Sequence, residues 1–194
     1  MPTDIRTKRR AEILSAAARE FAEMGFERAK IEEIARRAGI GKSTVYEYFP
    51  SKNELLTAVL TEEFQSMNCE FEAFFDKPIG LRDKLVAILD GDAGKLLLDK
   101  IGTLLNVRDT APAMQFMRKF GRTERDFMLA LLEKSVCRAI GTGEIRADIR
   151  PHLAAMFILA LMMTASNQLI FGDVTEQVLA ETVDYLFEGI GSRG

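Results

Sequence analysis

Gly39-Ile40-Gly41-Lys42-Ser43-Thr44-Val45-Tyr46-Glu47-Tyr48-Phe49-Pro50-Ser51-Lys52-Asn53-Glu54-Leu55 is the stretch that decides the fold. A helix ends at Gly39, and a very short helix follows, opened by Gly41 as N-cap and stopped by Pro50. Ser51 is a strong N-cap for the next helix, and Glu54 three residues on completes a capping box. The short helix, Lys42 to Phe49, has only Val45 and Phe49 to bury. Its other side chains are polar or aromatic, which suits a surface that touches the edges and backbone of DNA.

Working outward, the apolar period stays helical almost throughout, and no sustained alternation or hairpin signal appears. Ile13, Leu14, Ala17, Phe21 and Met24 predict a first helix from about Thr7 to Met24, ended by Gly25 in the left-handed conformation. The second helix is expected from Ile31 to Ala38, with Ile34 and Ala35 inward. It is too short to stand without neighbours. A long fourth helix, Lys52 to about Phe75, carries Leu55, Leu56, Val59, Leu60, Phe64, Met67, Phe71, Phe74 and Phe75.

Beyond Lys77-Pro78-Ile79-Gly80 the pattern predicts a helix from Leu81 to about Val107, kinked near Gly91. A short helix after Pro112 and a longer one from Arg122 to Ile140 follow. Pro151 opens another. From Leu153 to Phe171 no residue is formally charged. Thr164, Ser166, Asn167 and Gln168 interrupt that run, so a buried helix is expected rather than a membrane span. The last helix, Thr175 to Ile190, places Val178, Leu179, Thr182, Val183, Leu186 and Ile190 on one stripe. The fold class expected is all-α: a three-helix helix-turn-helix head, residues 1–52, and a larger helical body for ligand binding and dimerisation, residues 53–194.

Composition narrows the function. The 194 residues carry a net charge of −3. Residues 1–50 hold 10 Lys and Arg against 8 Asp and Glu, and the remainder 16 against 21. A mildly basic front on an acidic body fits a small DNA-reading head, although a few charges decide nothing alone. Cys69 and Cys137 have no metal-ligand spacing, and Met1-Pro2-Thr3-Asp4-Ile5-Arg6 lacks a secretory run, so a cytoplasmic chain with reduced thiols is expected. The single histidine, His152, stands at a helix start, where a structural role is the rule. No nucleotide, hydrolase or zinc motif is present. No enzyme, cofactor, catalytic residue or metal is expected.

The run from Phe26 to Leu55 resembles the TetR/AcrR family of transcriptional regulators. Ile34-Ala35, Ala38-Gly39-Ile40, Ser43-Thr44-Val45-Tyr46-Glu47-Tyr48-Phe49 and Ser51-Lys52-Asn53-Glu54-Leu55 carry the likeness. Gly143-Glu144-Ile145-Arg146-Ala147-Asp148 resembles the family's loop before the penultimate helix. Two departures stand out. Ala29 and Lys30 replace the hydroxyl residues that enter the second helix, so its cap is lost and Lys30 becomes a phosphate candidate. Gly41 and Ser43 exchange the usual Ser and Gly, which makes Ser43 an additional candidate reader.

The resemblance assigns Tyr46 and Tyr48 to phosphates or base edges and Lys52 to a phosphate. Two residues apart on a helix, the tyrosines point different ways. Lys42 is in reach of phosphate, and Thr44 offers a methyl or a hydroxyl. Glu47 either accepts from cytosine N4 or is solvated. Arg6, Lys8, Arg9 and Arg10 are expected to form a basic arm, or to be a solvated first turn.

The body is expected to hold a pocket for a small apolar or aromatic effector. Its candidate lining is Met114, Phe116, Met117, Phe120, Phe127, Leu131, Met163, Asn167, Gln168 and Phe171, although Met and Phe at helical spacing usually mean core. Leu161, Ala165, Leu179, Val183 and Leu186 are the candidates for a two-fold interface. The expected function is a homodimeric regulator on a palindromic operator, a repressor released by its ligand, with no membrane partner. The alternative is a DNA-binding structural protein that organises the chromosome without an effector.

Overall fold

A computed structural model describes the backbone of residues 2–90, 110–171 and 176–190. Side chains are described for the same residues except 2–4, 89–90, 164–171, 176–180 and 190. Among the described residues there are eight helices and no strand. They are α1 (Pro2–Arg28), α2 (Ile31–Arg37), α3 (Lys42–Tyr48), α4 (Lys52–Phe75), α5 (Leu81–Asp90), α6 (Ala111–Gly141), α7 (Pro151–Phe171) and α8 (Glu176–Ile190). They form two compact units: Met1–Met67 with Asp99–Gly121, and Asn68–Leu98 with Arg122–Gly194.

The first unit is built on the predicted stripe of α1. Ile13, Leu14, Ala17 and Phe21 are buried, and they meet Ile34 and Ala35 of α2, Val45 of α3, and Leu55, Leu56, Val59 and Leu60 of α4. Ala113 and Phe116 complete this core, with the Phe116 ring 5.6 Å from Phe64. Met24 departs from the stripe and is 39% exposed. The helix turns at Gly25, where φ is 70° and ψ 165°. The positive φ matches expectation, but the extended ψ takes the residue out of the left-handed helical region into one that only glycine occupies readily. The chain then swings so that Phe26 returns to the core, its ring centroid 5.9 Å from Phe21.

The second unit packs Phe75 with Leu81, Leu85 and Ile88 of α5, Leu132 and Val136 of α6, Ile158 of α7, and Val183 and Phe187 of α8. Arg82 on α5 reaches Asp184 on α8 with its Nε 3.1 Å from Oδ1.

Two element expectations change, and a third is only partly described. Helix α1 begins at Pro2, so Arg6, Lys8, Arg9 and Arg10 ride on helix rather than on an extended arm. The two helices expected after Pro112 are one 31-residue helix, α6. Gly121 does not break it, because i→i−4 bonding tolerates an isolated glycine at a cost of about 1 kcal/mol. The helix expected as far as Val107 is described only to Asp90; the expected Gly91 kink and the continuation to Val107 lie outside the described residues. No helix among the described residues is long and apolar enough to cross a membrane.

Candidate DNA interface

The turn into α3 is a Schellman motif. Gly39 has φ 66°, the Ile40 N–H donates to the Ala35 carbonyl at 3.0 Å, and the Gly39 N–H donates to Arg36 at 3.2 Å. Gly41 then caps α3 in an extended conformation. Val45 and Phe49 anchor the short helix, 0% and 5% exposed, as their four-residue spacing predicts. Helix α4 starts where expected: the Ser51 hydroxyl accepts from the Glu54 N–H at 3.1 Å. The reciprocal half of the capping box, from the Glu54 carboxylate, is not formed among the described residues.

With those anchors inward, Lys42, Ser43, Tyr46 and Glu47 are exposed, and Thr44 is half-buried. Tyr46 and Tyr48 diverge. Tyr46 is 41% exposed. Tyr48 is half-buried against the core of its unit, with the Arg6 guanidinium 5.7 Å from its ring centroid. Arg6, Thr7, Arg10 and Tyr48 line a notch of about 330 Å³ with a basic rim.

Several of the expected phosphate donors already have partners within the chain. Lys42 lies 2.5 Å from Glu32 and 6.0 Å from the Tyr46 ring centroid. That contact raises the Lys42 pKa, the hydrogen bond to Glu32 contributing most, and lowers that of Glu32 through the same bond. Lys52 donates to the Glu27 carbonyl at 3.2 Å and sits 4.7 Å from the Phe26 ring centroid, so it secures the turn after α1. Arg9 pairs with Glu12 at 2.9 Å, and Arg10 with Glu62 at 3.6 Å. The Lys8 and Lys30 side chains are exposed.

As expected, Lys30 caps α2 without a side-chain bond. What replaces the missing hydroxyl was not foreseen. Glu20 of α1 is buried, 3% exposed, and its Oε1 accepts the Lys30 N–H at 3.3 Å. Its Oε2 lies 3.4 Å from Arg37 Nε, and Arg37 also forks onto Glu23, with Nη1 3.0 Å from Oε1. The signal was available: Glu20 falls three residues after Ala17 and next to Phe21, inside the apolar stripe.

The expected effector residues do not form one lining. Phe116 and Phe120 stack at 4.6 Å in the first unit's core. Phe127 and Leu131 belong to the second unit's core. Met114, Met117 and Met163 are 56%, 42% and 60% exposed. These residues are divided between two cores and the surface because each faces whatever its own helix packs on. The Asn167, Gln168 and Phe171 side chains lie outside the described residues. So do those of Ala165 and Leu179. Of the other interface candidates, Leu161 and Leu186 are half-buried against the second core, and Val183 is 0% exposed within it. Val183 is therefore a residue of the protomer's own core.

A cleft of about 530 Å³ opens in the second unit, lined among others by Asp76, Ile79, Leu81, Lys84, Arg138 and Glu144. Burial first, then the charge of Arg138, push the Lys84 pKa below the usual lysine value. Its Nζ donates to the Phe75 carbonyl at 2.7 Å. His152 is exposed, with Nδ1 3.0 Å from Glu133 Oε2, and Cys69 and Cys137 are free and exposed. No His, Cys, Asp and Glu cluster suited to a metal occurs among the described residues.

Residues 13–59 match the model of the tetR family of bacterial regulatory proteins. The chain is 24% identical over 170 residues to the fatty acid metabolism regulator protein of Bacillus subtilis, covering 86% of this chain and 80% of that one. Its fold is similar to that of a solved TetR-family transcriptional regulator from Mesorhizobium loti, with a TM-score of 0.71, 23% identity and 94% and 95% of the two chains covered. It is also similar to the transcriptional regulator FadR from Bacillus subtilis, solved in complex with stearoyl-CoA, with a TM-score of 0.61, 21% identity and 92% and 95% covered. The matched segment contains the buried stripe, the Gly39 turn and the exposed face of α3 described above. The likeness to the tetR family of bacterial regulatory proteins thus lies on the segment that builds the helix-turn-helix and the exposed face of α3.

Proposed function

We propose that the protein is a homodimeric repressor that binds a palindromic operator through residues 1–52 and is released by a small, largely apolar ligand held in residues 53–194. The single observation behind the DNA-reading part is the exposed polar-aromatic face of α3, held outward by the buried Val45 and Phe49. In this reading Ser43, Thr44, Tyr46 and Glu47 meet base edges, and Lys30, Lys42, Lys52, Arg6 and Arg9 meet phosphate. Lys42, Lys52 and Arg9 exchange internal partners for phosphate oxygens when DNA arrives.

Dimerisation is supported by an apolar face on α7 and α8. Leu153, Met156, Phe157 and Met163 are 39%, 48%, 69% and 60% exposed, and Tyr185 is 71% exposed. Exposed apolar side chains at this helical spacing on α7 favour a two-fold partner. An apolar effector is favoured by the acyl-bearing ligand of one structural neighbour. In that reading the two recognition helices fit successive major grooves only about 34–36 Å apart. A ligand that prefers another spacing weakens DNA binding by its differential affinity for the two states.

Two variants test the reading. Tyr46→Ala should weaken binding to a duplex selected by the wild-type protein, roughly tenfold, with the melting temperature unchanged. Phe157→Glu should give a folded monomer by sedimentation, whereas Val183→Glu should fail to fold, because it buries a carboxylate in the protomer core. Unchanged DNA affinity in Tyr46→Ala counts against the interface. A wild-type monomer counts against the dimer.

A further inference from the structure

We propose that Glu20 is a positioning residue for DNA binding: from the core of its unit it grips α2 at both ends and thereby fixes the pose of α3. The proposal rests on the DNA-binding reading above. Glu20 stands between Ala17 and Phe21, both 0% exposed, in a place where an apolar side chain is the less costly choice. Its carboxylate is nonetheless fully used. One oxygen takes the N–H of Lys30, the residue that caps α2, and the other faces Arg37, the last residue of α2.

Helix α2 has seven residues and is too short to hold a direction alone. Its buried Ile31, Ile34 and Ala35 attract it to the core, but apolar contact is non-directional and leaves rotation about the helix axis weakly set. Polar contacts at both ends remove that freedom. Arg37 gains a second hold one turn along α1, on Glu23. The Gly39 turn then passes the geometry on, since Ile40 and Gly39 are bonded back to Ala35 and Arg36. A rotation of α2 must therefore move α3, where base reading tolerates only hydrogen-bond-length errors. Arg37 is committed to two carboxylates, so its contribution comes through Glu20 rather than through phosphate.

The test uses the full-length protein and a duplex selected from a random pool by the wild type. Glu20→Leu should melt within a few degrees of the wild type, because leucine fills the apolar stripe and Arg37 keeps Glu23, while the Lys30 N–H loses its acceptor. It should nevertheless bind the selected duplex about tenfold more weakly, with the slope of affinity against salt unchanged, since no phosphate contact is lost. Glu20→Gln keeps an acceptor for Lys30 and should fall between the two; it carries the test if Glu20→Leu does not fold. Arg37→Met should weaken binding in the wild-type background and add little in Glu20→Leu, the mark of a shared role. Glu20→Leu binding within twofold of wild type overturns the proposal alone. So does a loss of affinity that merely tracks a lower melting temperature. A wild type that selects no duplex overturns the DNA-binding reading, and this one with it.

Discussion

Helix α2 in the first unit and helix α5 in the second both begin without a capping side chain of their own, and each borrows a carboxylate from elsewhere in the chain. Lys30 opens α2 and Gly80 precedes α5. Glu20 reaches the first, and Glu144 the second, where its two oxygens accept the Leu81 and Arg82 N–H groups, each at 2.8 Å. The two carboxylates differ in what else they hold. Glu144 is spent entirely on the helix start, so it is a stabilising cap. Glu20 divides itself between a backbone N–H and a guanidinium, so it fixes an orientation. A borrowed cap thus serves stability in the body and geometry in the head.

The comparison is broken most directly at Glu144. Glu144→Ala removes two charge-assisted bonds and leaves two N–H groups to water. It should cost about 2 kcal/mol. For a chain of this size that is a fall of roughly 4–8 °C in melting temperature. DNA affinity at low temperature should be unchanged, the reverse of the Glu20→Leu pattern. Equal effects of both variants on stability, by urea titration, would erase the distinction. Gly80→Ala is a milder version of the same test. Its Cβ would lie 2.9 Å from Glu144 Oε1, so the carboxylate must shift off its two donors.

Much of this was legible in the sequence, for local reasons. Glycine, proline and serine at residues 39, 50 and 51 carry their turn chemistry with them, and Val45 and Phe49 announce their burial by spacing. The borrowed caps were not legible. The link from Leu81 to Glu144 joins residues 63 apart, and no periodicity reports which loop will come near. Phe116 and Met117 show the same limit within one helix. Both fit an apolar pocket by type, but one turned into the core at 3% exposure and the other to solvent at 42%. The exposed Met156 and Phe157 were missed as a candidate outer face because a helix apolar nearly all round has no stripe to read.

A second prediction concerns how each unit handles a buried charge. Glu20 has a cation, whereas the Lys84 ammonium has a carbonyl and no carboxylate within 4 Å among the described residues. Its folded pKa lies below the unfolded value near 10.5. Between those values the unfolded chain binds more protons, so stability rises with pH through the window. Lys84→Met should abolish that rise while keeping the stem's apolar volume. Urea midpoints at several alkaline pH values, wild type against variant, report it. Parallel curves would show that Lys84 is not desolvated as its surroundings imply.

The smallest expected effect returns to the head and asks whether an exposed pair there matters at all. Glu32 and Lys42 are about half exposed, so the pair adds little to stability. Its consequence is for binding. If Lys42 meets phosphate as proposed, the phosphate takes it away from Glu32, and the Glu32 carboxylate repels the duplex. Glu32→Gln should therefore leave the melting temperature unchanged and raise affinity for a random-sequence duplex about two- to fivefold at low salt. The gain should shrink as ionic strength rises, because a freed Lys42 adds a counterion-releasing contact and steepens the salt slope by about one unit. The ratio of selected to random binding should fall, since the new contact carries no sequence information. Fluorescence anisotropy on both duplexes across a salt series measures all three. An unchanged random-duplex affinity would mean that Lys42 stays with Glu32 in the complex, and that the phosphate contacts of the head lie with Lys30, Lys52 and the start of α1 instead.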